Sequence, residues 1–325
     1  MFNRMNIKKF YLLIVIVLVG HNAMTMQPSD TLVNDSVKAW KFTSLNMLTI
    51  NQIAFVNWST GGESSLSAKV STEYDLEYKK DNFIFDHKGK LAFGLVGYIS
   101  TRIEKTDDII DLMWAVSHKT SEKWNLSALL TFKSQFANGY KYPNDTSLIS
   151  AFMAPGYFNI SSGFNYKPNN RFQIYLSPVA GKLTLVQNQD LANKGAYGVK
   201  KATIDSVGNV IVKGENLLSE MGIKLLTSYK HKIMKNIDLR TTLNLYNNYT
   251  DPIKSNRWNI DIDWDTRIVF TINKVFSSVF YLHLKYDHNT NIPTYKIIEG
   301  ENIMVSDSPK LQLKESFGLS FSYKI

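Results

Sequence analysis

Four ionisable residues recur at alternate positions in WNIDIDWDTRIVFTI, residues 258–272: Asp261, Asp263, Asp265 and Arg267. Three carboxylates at this spacing suggest a calcium site, because that cation collects carboxylate oxygens. The geometry of a strand argues against it. Residues i and i+2 lie about 6.6 Å apart, too far to share one ion at Ca–O distances of about 2.4 Å unless other strands contribute. The favoured reading is a ladder of charges on one strand face. Its expected partners are Arg240, Arg267, Lys224 or Lys285 on the same and neighbouring strands. Asp238 and Arg240 belong to the ladder by the same alternation.

Other catalytic chemistry finds little support. The histidines are His21, His87, His118, His231, His283 and His288, and none sits in an H-E-x-x-H or paired metal-ligand spacing. There is no G-x-S-x-G elbow. The chain has no cysteine, which removes disulfides and thiolate chemistry. No cofactor, metal site or catalytic set is expected, and the chain reads as a non-enzyme.

The ladder requires an element with a period of two. In residues 258–272 the even positions Trp258, Ile260, Ile262, Trp264, Ile268, Phe270 and Ile272 are apolar, and the intervening ones are mostly polar. That is a β-strand with one greasy face. The same split recurs elsewhere. Ile237, Leu239, Leu243 and Leu245 alternate with Asp238, Arg240, Thr242 and Asn244. Leu66, Ala68, Val70, Tyr74 and Leu76 alternate with Lys69, Ser71, Glu73, Asp75 and Glu77. About twelve strands are expected: 45–58, 64–79, 82–102, 108–119, 123–137, 150–166, 171–186, 212–230, 235–249, 256–273, 276–288 and 311–325. A short helix is expected near Gln189 to Lys194, and a protruding hairpin around Gly208 and Asn209.

The links between strands alternate, short on one side and mostly long on the other. That is the pattern of a transmembrane antiparallel β-barrel with short periplasmic turns and longer extracellular loops. An even strand count puts both termini on the periplasmic side. Hydrocarbon offers no hydrogen bonds to the backbone, so only a closed sheet can span it. The greasy faces then meet lipid and the charge ladder lines the lumen. Outer-membrane phospholipases place Ser and His on the outside of such a barrel, but no matching His-Ser-Asn arrangement occurs here.

The front end suits this destination. Arg4, Lys8 and Lys9 precede an apolar run from Tyr11 to Val19, closed by Gly20 and Ala23. This reads as a secretory signal peptide over residues 1–25, followed by a periplasmic lead-in over 26–44 and the barrel over 45–325. The formal net charge is +9. The charges are scattered rather than clustered, so nucleic-acid binding is not expected. Expected partners are outer-membrane lipids and the barrel assembly machinery.

Aromatics fall near strand ends, as in the girdles of membrane barrels: Tyr78, Phe83, Trp124, Tyr166, Phe172, Tyr229 and Phe276 on the short-turn side, and Tyr98, Phe136, Phe152, Tyr249, Trp258 and Tyr286 on the other. Ser316-x-Gly318-x-x-Phe321-x-Tyr323 near the C-terminus has the form of an outer-membrane assembly signal, although the chain ends in Ile325 rather than an aromatic. Pro155 and Pro178 fall within expected strands and predict a bulge or the end of regular pairing there. The glycine pair after Trp58, Gly61 and Gly62, is expected to turn the first hairpin.

Four stretches, NQIAFVNWSTGGESSLS, SALLTFKSQFANGYKYPND, YLSPVAGKLTLVQNQDLANKGAYGV and GENLLSEMG, together resemble the domain-of-unknown-function family 3078 of Bacteroidota. The resemblance runs from about Trp40 to the C-terminus. It implies a secreted outer-membrane barrel and supplies no activity and no catalytic residues. Function is left among three readings: a binding or solute-passage barrel, an outer-membrane enzyme of the lipid-hydrolase type, and a soluble secreted β-sandwich or adhesin. The first is preferred.

Overall fold

The structure, a computed structural model, describes residues 39–53, 64–98, 102–142, 146–298 and 301–324. The expected signal peptide, most of the lead-in, the Trp58–Gly62 turn and Ile325 lie outside the described residues. The strands in chain order are β1 (Trp40–Ile53), β2 (Ser65–Lys80), β3 (Phe83–Tyr98), β4 (Ile103–Lys119), β5 (Trp124–Ser134), β6 (Gly139–Tyr140), β7 (Leu148–Ser150), β8 (Gly156–Tyr166) and β9 (Phe172–Leu185). There follow β10 (Thr203–Ile204), β11 (Val210–Val212), β12 (Leu217–Met234), β13 (Ile237–Asn248), β14 (Asp261–Thr271), β15 (Phe276–Tyr286), β16 (Asn291–Ile298), β17 (Glu301–Pro309) and β18 (Gln312–Lys324). Twelve of them close into one antiparallel barrel in the order β1-β2-β3-β4-β5-β8-β9-β12-β13-β14-β15-β18. The pairs β6–β7, β10–β11 and β16–β17 form separate two-stranded sheets in the long links. The sandwich reading is thereby set aside.

Two of the short links turn on asparagine. Asn169 Oδ1 accepts from the backbone N–H of Arg171 (2.8 Å) and Phe172 (3.0 Å), and Asn273 Oδ1 does the same for Val275 and Phe276. Such side chains mimic the next backbone carbonyl and fix a tight turn. Aromatics ring this end: Trp40 packs on Tyr78 and Trp124 on Tyr166, each at 4.7 Å between ring centroids.

The outward face is largely apolar, as Leu126, Leu130, Ile160 and Phe164 illustrate. Several of its polar groups bond within the sheet surface. The Trp264 indole donates to Thr241 Oγ1 (2.8 Å), whose hydroxyl also meets Thr266 Oγ1 (2.7 Å). His87 Nδ1 donates to the Met113 carbonyl (3.0 Å), leaving Nε2 to accept from the Tyr74 hydroxyl (2.9 Å). Thr72 donates to Asn46, which donates to Ser44. Polar groups bonded in this way suit a surface that faces hydrocarbon.

Pro178 sits in a bulge of β9, as its residue type predicts. Across the bulge Lys224 pairs with Ser177 but Gly222 with Ala180, so Pro178 and Val179 oppose Ile223 alone. On the other side Phe164 pairs with Leu176 and Ser162 with Val179. The carbonyls of Ser162 and Val179 both lie within reach of the buried Ser177 hydroxyl, at 2.8 and 2.7 Å. It donates to one at a time. Gly163 completes the site, because a Cβ there would come within 2.7 Å of Ser177 Cα. The extra residue inverts the facing of the strand. Before it Ile174 and Leu176 point outward; after it Val179 and Leu183 do, and Ala180, Lys182 and Thr184 point into the lumen. Pro155 immediately precedes β8, so regular pairing ends there, the other outcome its residue type predicts.

Three boundaries differ from expectation. β1 starts at Trp40, so part of the expected lead-in belongs to the wall. β4 starts at Ile103, and the polar run Glu104 to Asp107, expected as a link, is strand; near the long-loop end neither face needs to be apolar. The ladder there contains a bulge, with Gly94 opposite Asp107 and Leu95 opposite Lys105. Trp258, expected on the outward face of the tenth barrel strand, lies in a 3-10 turn over Lys254–Trp258 and is 87% exposed. Asn247 Nδ2 pins that turn by donating to the carbonyls of Arg257 and Asn259.

At the long-loop end the β9–β12 link folds into a packed cap. Its helix α1 (Gln189–Asn193) starts where Asn188 Oδ1 accepts from Leu191 N (2.9 Å). Leu191, Ala192, Val186 and Val199 pack with Ala154, against Leu148, Tyr197 and Leu218. The Tyr197 hydroxyl donates to the Ile149 carbonyl (2.6 Å), and burial pushes its pKa up to about 12. Gly198 (φ +85°) lies so close to the residues after β15 that a Cβ would stand 2.8 Å from Asn289 Cβ.

Candidate functional site

The lumen is crossed by ion pairs. Alternation points Lys133, near the upper end of β5, inward. Its Nζ lies 2.9 Å from Asp263 Oδ2 and 3.2 Å from Asp111 Oδ2. The other Asp263 oxygen meets His283 Nε2 at 2.7 Å. Arg267 pairs with Glu73 on β2, on another side of the barrel. Two further cations rest on ring faces across the lumen: Lys90 over Tyr281 (4.6 Å) and Lys285 over Tyr157 (5.2 Å).

Nearer the cap, Lys182 is the hub of a second cluster. Its Nζ lies 2.8 Å from Asp261, 3.3 Å from Glu220 and 3.6 Å from Asp287. Lys182 is 8% exposed and Glu220 3%. Glu220 Oε1 accepts from Asn248 Nδ2 (3.0 Å) and Asn289 Nδ2 (2.9 Å), and Asp261 Oδ1 from His288 N (3.1 Å). A buried charge needs such partners. Asn289 also abuts Gly198, so cap and cluster are in contact.

The expected ladder residues therefore all face the lumen, but their partners differ from those expected. Asp261, Asp263 and Arg267 bond to Lys182, Lys133 and Glu73 on non-adjacent strands, not to Lys224 or Lys285. Lys285 is the in-register neighbour of Asp263 yet reaches across to Tyr157. Arg240 stands opposite Arg267 in register, a pairing of like charge. Asp238, Arg240 and Asp265 make no ion pair within 4 Å among the described residues. The physical reason is lumen width: long side chains span a small barrel, so the nearest countercharge is the one opposite. Lys133 and Lys182 were missed in the sequence. Inward alternation marks the first, and only the bulge at Pro178 turns the second inward. Among the described residues no group of His, Asp or Glu is arranged to hold a metal ion.

A cavity of about 270 Å³ remains beside these pairs, lined by side chains of β1, β2, β3, β4, β14, β15 and β18. Its inward-facing charged residues are Lys69, Lys90, Arg267 and Lys314 against Glu73 and Asp107. Asp107 sits between Lys314 (2.8 Å) and Lys69 (3.9 Å). The residues of the expected assembly signal lie on β18. Ser316 and Gly318 point inward, Phe321 packs outward on Phe276 at 4.7 Å, and Tyr323 pairs with Asn46.

No curated protein matches the chain. Among solved structures it is similar to the translocator domain of the autotransporter NalP from Neisseria meningitidis, at 9% identity and a TM-score of 0.36, covering 97% of this chain and 95% of that one. It is also similar to an outer membrane channel from Pseudomonas putida, at 12% identity and a TM-score of 0.37, covering 92% and 99%. A third is the NanC porin, at 8% identity and a TM-score of 0.32, covering 86% and 98%. Both sequence identity and superposition are low in every case. Residues 50–140 match the family model described as "Protein of unknown function (DUF3078)", and the chain resembles that family.

Proposed function

We propose that this protein spans the bacterial outer membrane and takes a small polar solute into its lumen, with the lumen held shut by ion pairs rather than open to free diffusion. The observation that carries the reading is the contrast between the two faces of one closed sheet. The outer face is largely apolar, and several of its polar side chains bond within the sheet surface. The inner face carries Lys133, Lys182 and Arg267 bonded to carboxylates on strands across the lumen. A soluble barrel has no use for the first arrangement, and an open pore has no use for the second. Delivery by a cleaved signal peptide and insertion by the assembly machinery through Ser316, Gly318, Phe321 and Tyr323 belong to the same proposal.

Fractionation tests the location. The protein is expected in the detergent-soluble outer-membrane fraction, migrating faster on gels unheated than boiled. Release by high salt or carbonate would overturn the proposal.

A further inference from the structure

The lumen is filled unevenly. On the side of β5, β9 and β14, Lys133 and Lys182 span it to reach Asp263 and Asp261. On the side of β1, β2 and β18 the inward positions carry short side chains, among them Thr49, Ser71, Ser316, Gly318 and Ser320. The cavity of about 270 Å³ is the space they leave.

The charges around this cavity do not balance. Four cations, Lys69, Lys90, Arg267 and Lys314, face two inward carboxylates, and both carboxylates are engaged. Glu73 is bonded to Arg267, and Asp107 to Lys314 at 2.8 Å. Lys69 stands 3.9 Å from Asp107, at the limit of an ion pair. Lys90 makes no ion pair among the described residues. Its register neighbours Glu73 and Asp111 are held by Arg267 and Lys133, and its Nζ rests over the Tyr281 ring at 4.6 Å instead.

Ser71 supplies an independent observation. It lines the cavity and is 6% exposed, and its Oγ has no hydrogen-bond partner. In the same wall the hydroxyls of Thr49 and Ser320 bond to each other at 2.7 Å. The register neighbours of Ser71, Met47 and Ala92, carry no group that could bond to it. A buried hydroxyl left unbonded costs stability, and a polar group in the cavity removes that cost. Alternation places Lys69 one inward step above Ser71 on β2, and Lys90 one inward step below it on β3.

We infer that this cavity binds a small hydroxylated anion, a carboxylate or a phosphate ester, held by the ammonium groups of Lys69 and Lys90 and by the Ser71 hydroxyl. The volume lies just below the roughly 300–1,000 Å³ of sites for drug-sized ligands, so the solute is small. Asn51 and Ser316, also in the lining, offer partners for its hydroxyls. The unbalanced lysines draw anions and repel cations. The inference deepens the proposed function by naming the site and the charge of the solute, and it rests on the reading of the lumen as a place that takes one up.

Calorimetric titration of the purified protein in detergent micelles with glycerate, glycerol 3-phosphate, glycerol and ethanolamine tests it. Glycerate, glycerol 3-phosphate or both are expected to bind with a dissociation constant of about 1 mM or tighter, and the tighter of the two identifies the anionic group. Glycerol and ethanolamine should not bind. Lys69→Gln with Lys90→Gln should weaken binding by at least about tenfold. Ser71→Ala should weaken it about fivefold and serves if the double variant fails to fold. Lys88 is the control, since it also faces the lumen but bonds to Asp75 at 3.3 Å and lies outside the cavity lining. Lys88→Gln should leave the affinity unchanged. An equal loss in Lys88→Gln would mean attraction by the lumen charge at large and would overturn the site, as would glycerol binding as tightly as glycerate. Protein that migrates heat-modifiably yet binds neither anion would overturn the site while leaving the membrane location standing.

Discussion

Lys133 on β5 and Asp263 on β14 meet at 2.9 Å although five steps of the barrel wall separate their strands. Neither residue has the other as a sequence or register neighbour. The bond exists because the sheet closes. Closure at twelve strands brings opposite walls within reach of a lysine, and the lumen becomes a place where charges pair across it. The same holds for Arg267 with Glu73 and for Lys182 with Asp261 and Asp287, whereas Glu220 is the register neighbour of Lys182 on β12.

Breaking the first pair should destabilise the barrel and loosen its lumen. In a dry site, removing one partner of an ion pair costs about 3–5 kcal/mol. Lys133 keeps 40% of its side chain exposed, so Asp263→Asn is expected to cost only about 1–2 kcal/mol. Lys133→Met with Asp263→Asn should cost less than the sum of the two single changes. Urea unfolding in lipid vesicles measures both. Strict additivity would mean that the two residues do not interact.

The bulge gives a sharper test of facing. Deleting Pro178 should return β9 to unbroken alternation and leave Lys182 facing the lumen, because the extra residue goes with the bulge. Deleting Gly181 instead keeps the bulge and turns Lys182 outward. An outward lysine costs about 2–4 kcal/mol at the bilayer midplane and less near its edges. It would also leave Glu220, Asp261 and Asp287 without their base. Folded yield in vesicles should collapse for the Gly181 deletion and not for the Pro178 deletion, and Lys182→Leu in the former should restore part of it. Equal yields of the two deletions would contradict the inverted facing.

Ile160 and Asn159 are adjacent on β8 and point to opposite faces. Ile160 is 64% exposed on the outside. Ile160→Arg should lower folding stability in vesicles by about 2–4 kcal/mol, and Asn159→Arg by clearly less. Equal losses would place β8 outside the bilayer.

The cap should respond to alkali in a set direction. Tyr197 ionises ordinarily near 10, and burial raises this to about 12. Its neutral form is favoured in the folded cap, so that contribution is complete below pH 10 and is lost as the pH rises toward 12. Tyrosinate absorbance compared between the parent and Tyr197→Phe should show this late titration. Gly198→Ala should loosen the same cap by about 1–3 kcal/mol, since φ is +85° and Asn289 leaves no room.

How much of this could be read from the chain varies with the length scale of the cause. Alternation at Ile237–Asn244 and Asp261–Thr271 gave the strands, and their even number the side on which both termini lie. The proline at 178 announced a bulge, and the stretch from Gln189 to Lys194 a short helix. Partner choice was not legible, because Lys133 and Asp263 are joined by barrel radius, which no local pattern encodes. Lys182 was hidden for a related reason: its facing depends on a bulge four residues away. Trp258 was misplaced because apolar alternation continued into a turn held by Asn247.

Single-channel recording of the purified protein in a planar bilayer tests the central claim, a lumen shut by ion pairs. The parent protein is expected to insert without sustained conductance steps, and Lys133→Met with Asp263→Asn and Arg267→Met with Glu73→Gln should open stable ones. Steady, voltage-independent steps from the parent, unchanged when those pairs are removed, would contradict it.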